Sequence, residues 1–281
     1  MTGIVVTGST GRLGGRVARR LAAAGTAQTL LVRDPDRAPQ LSDTTVRVAE
    51  YSDTAAVEQA LTGADVVLMV SGAEAPDRLD HHRSFVDAAA AAGVGHLVYT
   101  SFFAAAPDAT FTLARDHWIT EQYIREARVS FTFLRDNIYA DFLPFMVGED
   151  GVLRGPGGDG RVSMVAQDDI ADVAVALLTD PAQHVGATYD LTGPHALTFA
   201  EAVEIVGSAT GQSLSYYPET MEEAYASRAK YGAPKWQVDA WVSTYAAVAA
   251  GELAPVSDDI PRLTGHPATS LRELLSRSAA G

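Results

Sequence analysis

Residues 5–14 read Val-Val-Thr-Gly-Ser-Thr-Gly-Arg-Leu-Gly, an apolar run that enters three glycines spaced three apart and leaves into a helix-forming stretch at 16–24. Few chain paths need glycine at all three places. Gly8 lets the chain turn tightly off a strand, Gly11 lets backbone approach a pyrophosphate, and Gly14 lets the next helix pack close to the sheet. A helix starting there offers unpaired backbone N–H groups and a partial positive charge to phosphate. The segment therefore predicts a strand, turn and helix with a dinucleotide site at the bend.

The first half of the chain repeats this alternation. Apolar runs at 4–7, 29–32, 46–49, 66–70, 96–100 and 130–134 are rich in leucine and β-branched residues and lack polar alternation, the pattern of strands buried on both faces of a parallel sheet. Segments at 13–24, 54–61, 81–92 and 116–125 have helical length and spacing. Repeated β-α-β units predict an α/β fold, a doubly wound and mostly parallel Rossmann sheet with ligand at the carboxyl ends of its strands. Beyond Asn137 strands become sparse. Residues 148–160 are turn-rich, 163–166, 187–191 and 213–217 suggest short strands, and 169–178 suggests a helix with Asp168 as N-cap. Further helices are expected from Thr198, around 219–230 and around 234–250. The expected division is a dinucleotide-binding domain over 1–150 and a smaller C-terminal α/β substrate lobe over 151–281, interleaved with the sheet around 161–192.

Composition narrows the function classes. A chain of 281 residues with 47% hydrophobic content can bury a sizeable core. Its net charge of −14 repels phosphate backbones and anionic bilayers, so neither nucleic acid nor membrane is an expected partner. Without cysteine there is no disulfide and no thiolate nucleophile. The early strand at Ile4 leaves no room for a signal peptide, and no run approaches the roughly 18 apolar residues of a membrane helix, so a cytoplasmic protein is expected.

Arg33 closes the second expected strand, where dinucleotide folds recognise the ribose. A carboxylate there suits the hydroxyls of NAD, whereas an arginine suits the 2′-phosphate of NADP. Asp34 would repel that phosphate, so NADP(H) is expected over NAD(H) with Arg33 turned inward and Asp34 away; the alternative is a solvated arginine in an Arg-Asp-Pro-Asp turn. Ser71-Gly72 follows the fourth strand, where backbone could approach the nicotinamide ribose or simply form a loop. His81, His82 and His117 make no metal set and no metal is expected, while His117 and Glu121, four apart, suggest a pair on a helix surface. The glycine-rich run 155–160 lacks a P-loop lysine and suggests a hairpin or flexible loop. Trp236, Trp241 and Tyr245, at near-helical spacing, suggest packing of the small lobe, with a substrate-facing aromatic wall as the alternative. Phe102, Phe103 and Phe142 follow strand ends and could stack on a flat aromatic acceptor.

Thr-Gly-Ser-Thr-Gly-Arg-Leu-Gly at 7–14, Leu-Val-Arg-Asp-Pro at 31–35, Ala-Gly-Val-Gly-His-Leu-Val-Tyr-Thr-Ser at 92–101 and Thr-Phe-Leu-Arg-Asp-Asn-Ile-Tyr at 132–139 together resemble the NmrA-like branch of atypical short-chain dehydrogenases/reductases, in particular its NADPH-dependent quinone and triphenylmethane-dye reductases. The likeness continues through 168–171, 189–193 and 263–267. It implies an NADP site using Gly8, Thr10, Gly11, Arg12, Leu13, Gly14 and Arg33, with Ser71 and Gly72 near the nicotinamide end. It also implies Asn137 and Tyr139 beside the substrate cleft, and His117 near the active face. One departure matters. Many relatives carry a lysine in the helix around His117, where this chain has Gln122, and the Tyr-x-x-x-Lys pair of ordinary short-chain enzymes is missing; the only lysines are Lys230 and Lys235.

Without a lysine to lower a tyrosine pKa, unactivated ketones make poor substrates. A quinone, enone or cationic dye takes hydride into a delocalised system, so positioning supplies more of the catalysis. The expected activity is an NAD(P)H-dependent oxidoreductase acting on a conjugated, often aromatic, small molecule. Tyr139 and Asn137 would orient the acceptor, and His117 is a weaker candidate for the proton. The alternative is a dinucleotide-binding redox sensor that regulates a partner without catalysis. Either is compatible with a homodimer.

Overall fold

The computed structural model describes residues 3–279. In chain order its elements begin with β1 (Ile4–Thr7), α1 (Arg12–Ala23), β2 (Gln28–Val32), β3 (Thr44–Val48), α2 (Thr54–Leu61), β4 (Val66–Met69), α3 (Arg78–Ala91), β5 (His96–Phe102), α4 (Thr112–Glu126) and β6 (Phe131–Asp136). Then come α5 (Leu143–Met146), β7 (Val152–Gly155), β8 (Arg161–Val162), α6 (Gln167–Thr179), β9 (Thr188–Leu191), β10 (Leu197–Thr198) and α7 (Phe199–Thr210). The last are β11 (Ser215–Pro218), α8 (Met221–Arg228), α9 (Lys235–Ala249), α10 (Asp259–Thr264) and α11 (Leu271–Ala279). Among the described residues no helix is long and apolar enough to cross a membrane.

Seven strands form one sheet in the order β3-β2-β1-β4-β5-β6-β9. β1 pairs in parallel with both β2 and β4, and the β2–β3 and β4–β5 pairs are parallel as well. The chain runs outward from β1 through β2 to β3 and then returns to β4 on the other side, so the order reverses beside β1, where such sheets open a crevice at their carboxyl ends. All residues of β1 and β4 are buried, as two-faced helical cover requires. β3 departs from that expectation: it is an edge strand, with Val46 and Val48 exposed. Arg47 of β3 donates to Ala60 O at 2.6 Å, which ties this edge to the end of α2.

The chain divides into two compact units, 1–101, 116–135 and 168–189 in the first and 102–115, 136–167 and 190–281 in the second. Segments 102–115 and 136–150, expected with the dinucleotide-binding domain, cluster with the second unit because the chain after β5 and β6 packs into that unit's core. The first unit's core gathers Phe85, Leu97, Tyr99, Ile124 and Phe133 under the sheet. α6 starts at Gln167, so Asp168, the first of its residues in this unit, occupies the first turn instead of the expected N-cap. Its carboxylate accepts from Arg20 Nη2 at 2.6 Å and Arg16 Nε at 3.2 Å.

The second unit's core centres on Phe199, Leu143, Leu153 and Val248. Two small sheets serve it, β10 antiparallel to β8 and β11 parallel to β7. The run 155–160 is therefore no hairpin: its flanking strands β7 and β8 pair with different partners. Gly155 lies under the Tyr245 ring, where a Cβ would come within 2.2 Å of it. Capping boxes at Thr198/Glu201 and Thr220/Glu223 fix the starts of α7 and α8.

Candidate active site

At the carboxyl end of β1, Gly8 adopts φ +63°, a left-handed conformation open to glycine, and Gly11 N–H donates back to Gly8 O at 2.9 Å. A Cβ on Gly14 would lie 2.5 Å from Gly8 O, so only glycine lets α1 approach the turn this closely. Gly11 is the N-cap of α1, no side chain caps the helix, and its first turn carries no acidic residue. Ser9 Oγ is buried in the same loop without a hydrogen-bond partner. Arg12 is exposed at the first helical position, Thr10 is half-buried, and Leu13 is buried beneath them. A bare helix N-terminus with a cation at its mouth and an orphaned hydroxyl beside it fits the pyrophosphate of a nicotinamide dinucleotide.

Beyond β2, Asp34 turns its carboxylate onto Asp36 N–H at 3.1 Å and caps the short turn Pro35–Arg37. Arg33 is exposed and makes no hydrogen bond or ion pair among the described residues. The inward orientation expected of it is not adopted: the side chain stands in solvent with no buried acceptor to hold it. Its guanidinium is left available to an outside anion.

Beyond β4, Ser71 N–H donates to Thr100 Oγ1 at 2.8 Å and Gly72 N–H to His82 Nε2 at 2.8 Å, while Arg78 Nε donates to Gly72 O at 3.0 Å. Because His82 Nε2 accepts, its proton sits on Nδ1, which donates to Thr120 Oγ1 at 2.9 Å. Burial, and then Arg78, push the His82 pKa down to about 3. His117 repeats the arrangement: Nε2 accepts from Arg78 Nη2 at 3.0 Å and Nδ1–H donates to Tyr99 OH at 2.9 Å. Burial, and next the Arg78 charge, hold His117 well below the ordinary histidine pKa.

His117 and Glu121 do not form a surface pair. Both are buried, and Glu121 instead accepts from Ser101 Oγ at 2.6 Å and from Arg135 Nε and Nη2 at 2.8 and 2.7 Å. The spacing of four does place both on one face of α4, but that face points inward. His117 is thus a neutral brace with both nitrogens engaged, a poor arrangement for delivering a proton to a substrate.

In the second unit, Asn137 is buried, with Nδ2 donating to Ser163 Oγ and Leu253 O at 3.0 and 3.1 Å and Oδ1 accepting from Ile138 N–H at 2.8 Å. Its amide hydrogen bonds are made within this unit. Tyr139 is half-buried and its OH donates to Asp136 Oδ2 at 2.9 Å. Asp136 Oδ1 is buried without a partner, and burial holds the carboxyl well above the usual Asp range, against the pull of the Tyr139 hydrogen bond. Asp136 was missed from sequence. The available signal was a carboxylate ending an apolar strand, three residues before a tyrosine. Of the aromatic candidates, Phe103 belongs to the unit's core, Phe102 packs against Phe111 at 4.8 Å, and Phe142 is exposed 5.8 Å from the Tyr139 ring.

The signature of the NmrA-like family matches residues 2–232. An NAD(P)H azoreductase of Xenophilus azovorans is 33% identical over 284 residues, covering 99% of this chain and 98% of its own. An NADPH-dependent quinone oxidoreductase of Escherichia coli, solved with NADPH, is similar at a TM-score of 0.89 and 30% identity, over 98% of this chain and 99% of that one. The triphenylmethane reductase of Citrobacter sp., solved with NADP(H), is similar at 0.86 and 30%, over 98% and 99%. The glycine turn, the reversal of strand order beside it and this end-to-end similarity agree: the chain belongs to the NmrA-like family.

Proposed function

We propose that this chain, an NAD(P)H-dependent oxidoreductase, draws on NADPH to reduce a quinone-like or other conjugated small molecule. The observation that carries the reading is the uncapped N-terminus of α1 with the buried, partnerless Ser9 hydroxyl beside it. Gly8, Gly11, Gly14, Thr10, Arg12 and Leu13 form the pyrophosphate seat, and Ser71 and Gly72, braced by Thr100, His82 and Arg78, form the seat of the nicotinamide end. The 2′-phosphate falls to Arg33, whose neighbouring carboxylate is occupied by its own turn.

The bound cofactor supplies a hydride. The remaining chemistry belongs to the chain. Tyr139 OH turns from Asp136 Oδ2 to give its proton to the acceptor's developing anion; Asp136, whose protonated form burial favours, returns a proton from Oδ2 to the phenolate along the same hydrogen bond reversed, and solvent entering as product leaves reprotonates the carboxyl. With no lysine near the tyrosine in sequence, this donor is weak. That suits acceptors that spread charge, in line with relatives named for reducing azo compounds, quinones and triphenylmethane dyes.

An NADPH-oxidation screen across quinones, enones, azo dyes and triphenylmethane dyes, run beside calorimetric NADPH binding, tests the reading. Turnover of a delocalised acceptor and none of an unactivated ketone is expected. Tight NADPH binding with no acceptor turned over would overturn it.

A further inference from the structure

A pocket of about 530 Å³ lies wholly within the second unit, lined from α5, β7, α9 and the end of α8 with the turn after it. That size accommodates a molecule of two or three fused rings. Tyr231 and Trp241 line it edge to face, their ring centroids 5.9 Å apart at 86°, and Tyr245 and Phe145 add further rings. Phe145 and Tyr231 are 72% and 62% exposed, leaving apolar surface in water that a bound ring would cover.

The charges of the lining invert those of the protein. The chain holds 35 Asp and Glu against 21 Lys and Arg, yet the pocket is lined by Arg154, Arg228 and Lys230 and by no carboxylate. Two of these cations are compensated: Arg228 Nη1 meets Glu219 Oε2 at 2.7 Å, and Arg154 Nη2 meets Asp150 Oδ2 at 2.6 Å. Lys230 has no ion-pair partner among the described residues, and its Nζ lies 5.1 Å from the Tyr231 ring centroid. One uncompensated ammonium therefore stands beside an aromatic wall.

We propose that this pocket binds a flat aromatic molecule carrying an anionic group, its rings against Trp241 and Tyr231 and its sulfonate, carboxylate or phosphate at Lys230. The pocket selects against cationic aromatics by the same charge. That its occupant is the hydride acceptor rests on the reductase reading above; that it binds aromatic anions does not.

Titration calorimetry of the whole chain with two redox-inert probes, naphthalene-2-sulfonate and neutral 2-naphthalenemethanol, tests the site. The sulfonate should bind about fivefold tighter, the worth of one exposed charge contact. Lys230→Gln should erase that preference, Lys235→Gln, whose ammonium is held by Asp239 at 2.7 Å, should keep it, and Trp241→Ala should weaken both probes. Equal affinities, a preference that survives Lys230→Gln, or no binding of either probe would overturn the proposal. Because no turnover is involved, a chain that binds the sulfonate through Lys230 and reduces nothing would sink the reductase reading alone. In an active enzyme, naphthalene-2-sulfonate should compete with anthraquinone-2-sulfonate as acceptor, and noncompetitive inhibition would separate the pocket from the acceptor.

Discussion

The two units bury titratable groups to opposite ends. In the first, His82, His96 and His117 are buried bases, and burial pushes His82 and His96 down to about 3 and 4 and His117 well below its ordinary value. In the second, Asp136 is a buried acid pushed well above its ordinary value of 3.8. In both, desolvation disfavours the charged form. Their surroundings differ. His82 and His117 each have both ring nitrogens bonded, and together with Arg78 they brace the Gly72 turn and α4. Asp136 has one oxygen on Tyr139 and one on nothing. The first unit's buried histidines hold backbone in place, and the second unit leaves a buried carboxyl oxygen unbonded.

The largest effect should separate the units by their glycines. Gly14→Val drives a side chain into the Gly8 carbonyl, backbone that has no way to step aside. It should cost about 3 kcal/mol or more of stability and abolish NADPH binding. Gly155→Ala in the second unit presses on the Tyr245 ring, so it should cost stability and probe binding while leaving NADPH affinity in the folded fraction. Denaturant melts with NADPH titrations decide; equal loss of NADPH binding in both variants would break the division of labour.

Next is the proton. Tyr139→Phe should lower kcat/KM for a quinone about 10²-fold, the low end for a general acid, and Asp136→Asn about tenfold, with Tm maintained in both. A folded carboxyl with a raised pKa binds a proton that the unfolded chain has lost, so its share of stability is full below 3.8 and falls as pH rises toward the folded value. Asp136→Asn should flatten that decline. A Tyr139→Phe enzyme with unchanged kcat/KM would remove the proton from the second unit.

Cofactor choice is a smaller effect. Arg33→Ala should weaken NADPH binding by about 1.5–3 kcal/mol, the worth of a charge-assisted contact, and change NADH little. Equal loss for both cofactors would take the 2′-phosphate away from Arg33.

The first unit was legible because its signals are local: unbroken apolar strands, helices between them, and glycines whose spacing encodes a turn. β3 misled because an edge strand and a central one share a sequence pattern, and only the missing neighbour exposes Val46 and Val48. Where packing decided, sequence failed. β7 lay hidden among turn residues, α10 and α11 were not anticipated, and His117 and Glu121 were put on the correct shared face of α4 with the wrong view from it. For Trp241 and Tyr245 the spacing favours packing of the small lobe over an aromatic wall facing a ligand; both line the pocket, and Tyr245 also closes the core. The resemblance pairs Asn137 with Tyr139, whereas in the fold Asn137 bonds within the lobe and the Tyr139 hydroxyl bonds Asp136.

The smallest effect on turnover should come from His117, and it tests the comparison from the side of the first unit. Glutamine can accept from Arg78 and donate toward Tyr99 much as the neutral imidazole does. His117→Gln should therefore reduce kcat/KM less than about tenfold and leave both limbs of its pH profile in place. The cost should appear in stability, about 1–3 kcal/mol for imperfectly replaced buried hydrogen bonds. Acid sensitivity should change as well. Histidines held neutral in the fold take up protons on unfolding below about 6.5, so the protein loses stability as pH falls from there toward the folded values of about 3 and 4. Removing one of the three should make that loss shallower. Thermal melts from pH 7.5 to 5 measure the slope, and steady-state rates over the same range measure the limbs. If His117→Gln instead cost 10²-fold or more in a stable protein and erased the limb near pH 6–7, the proton would come from the first unit, and Asp136 with Tyr139 would be the brace.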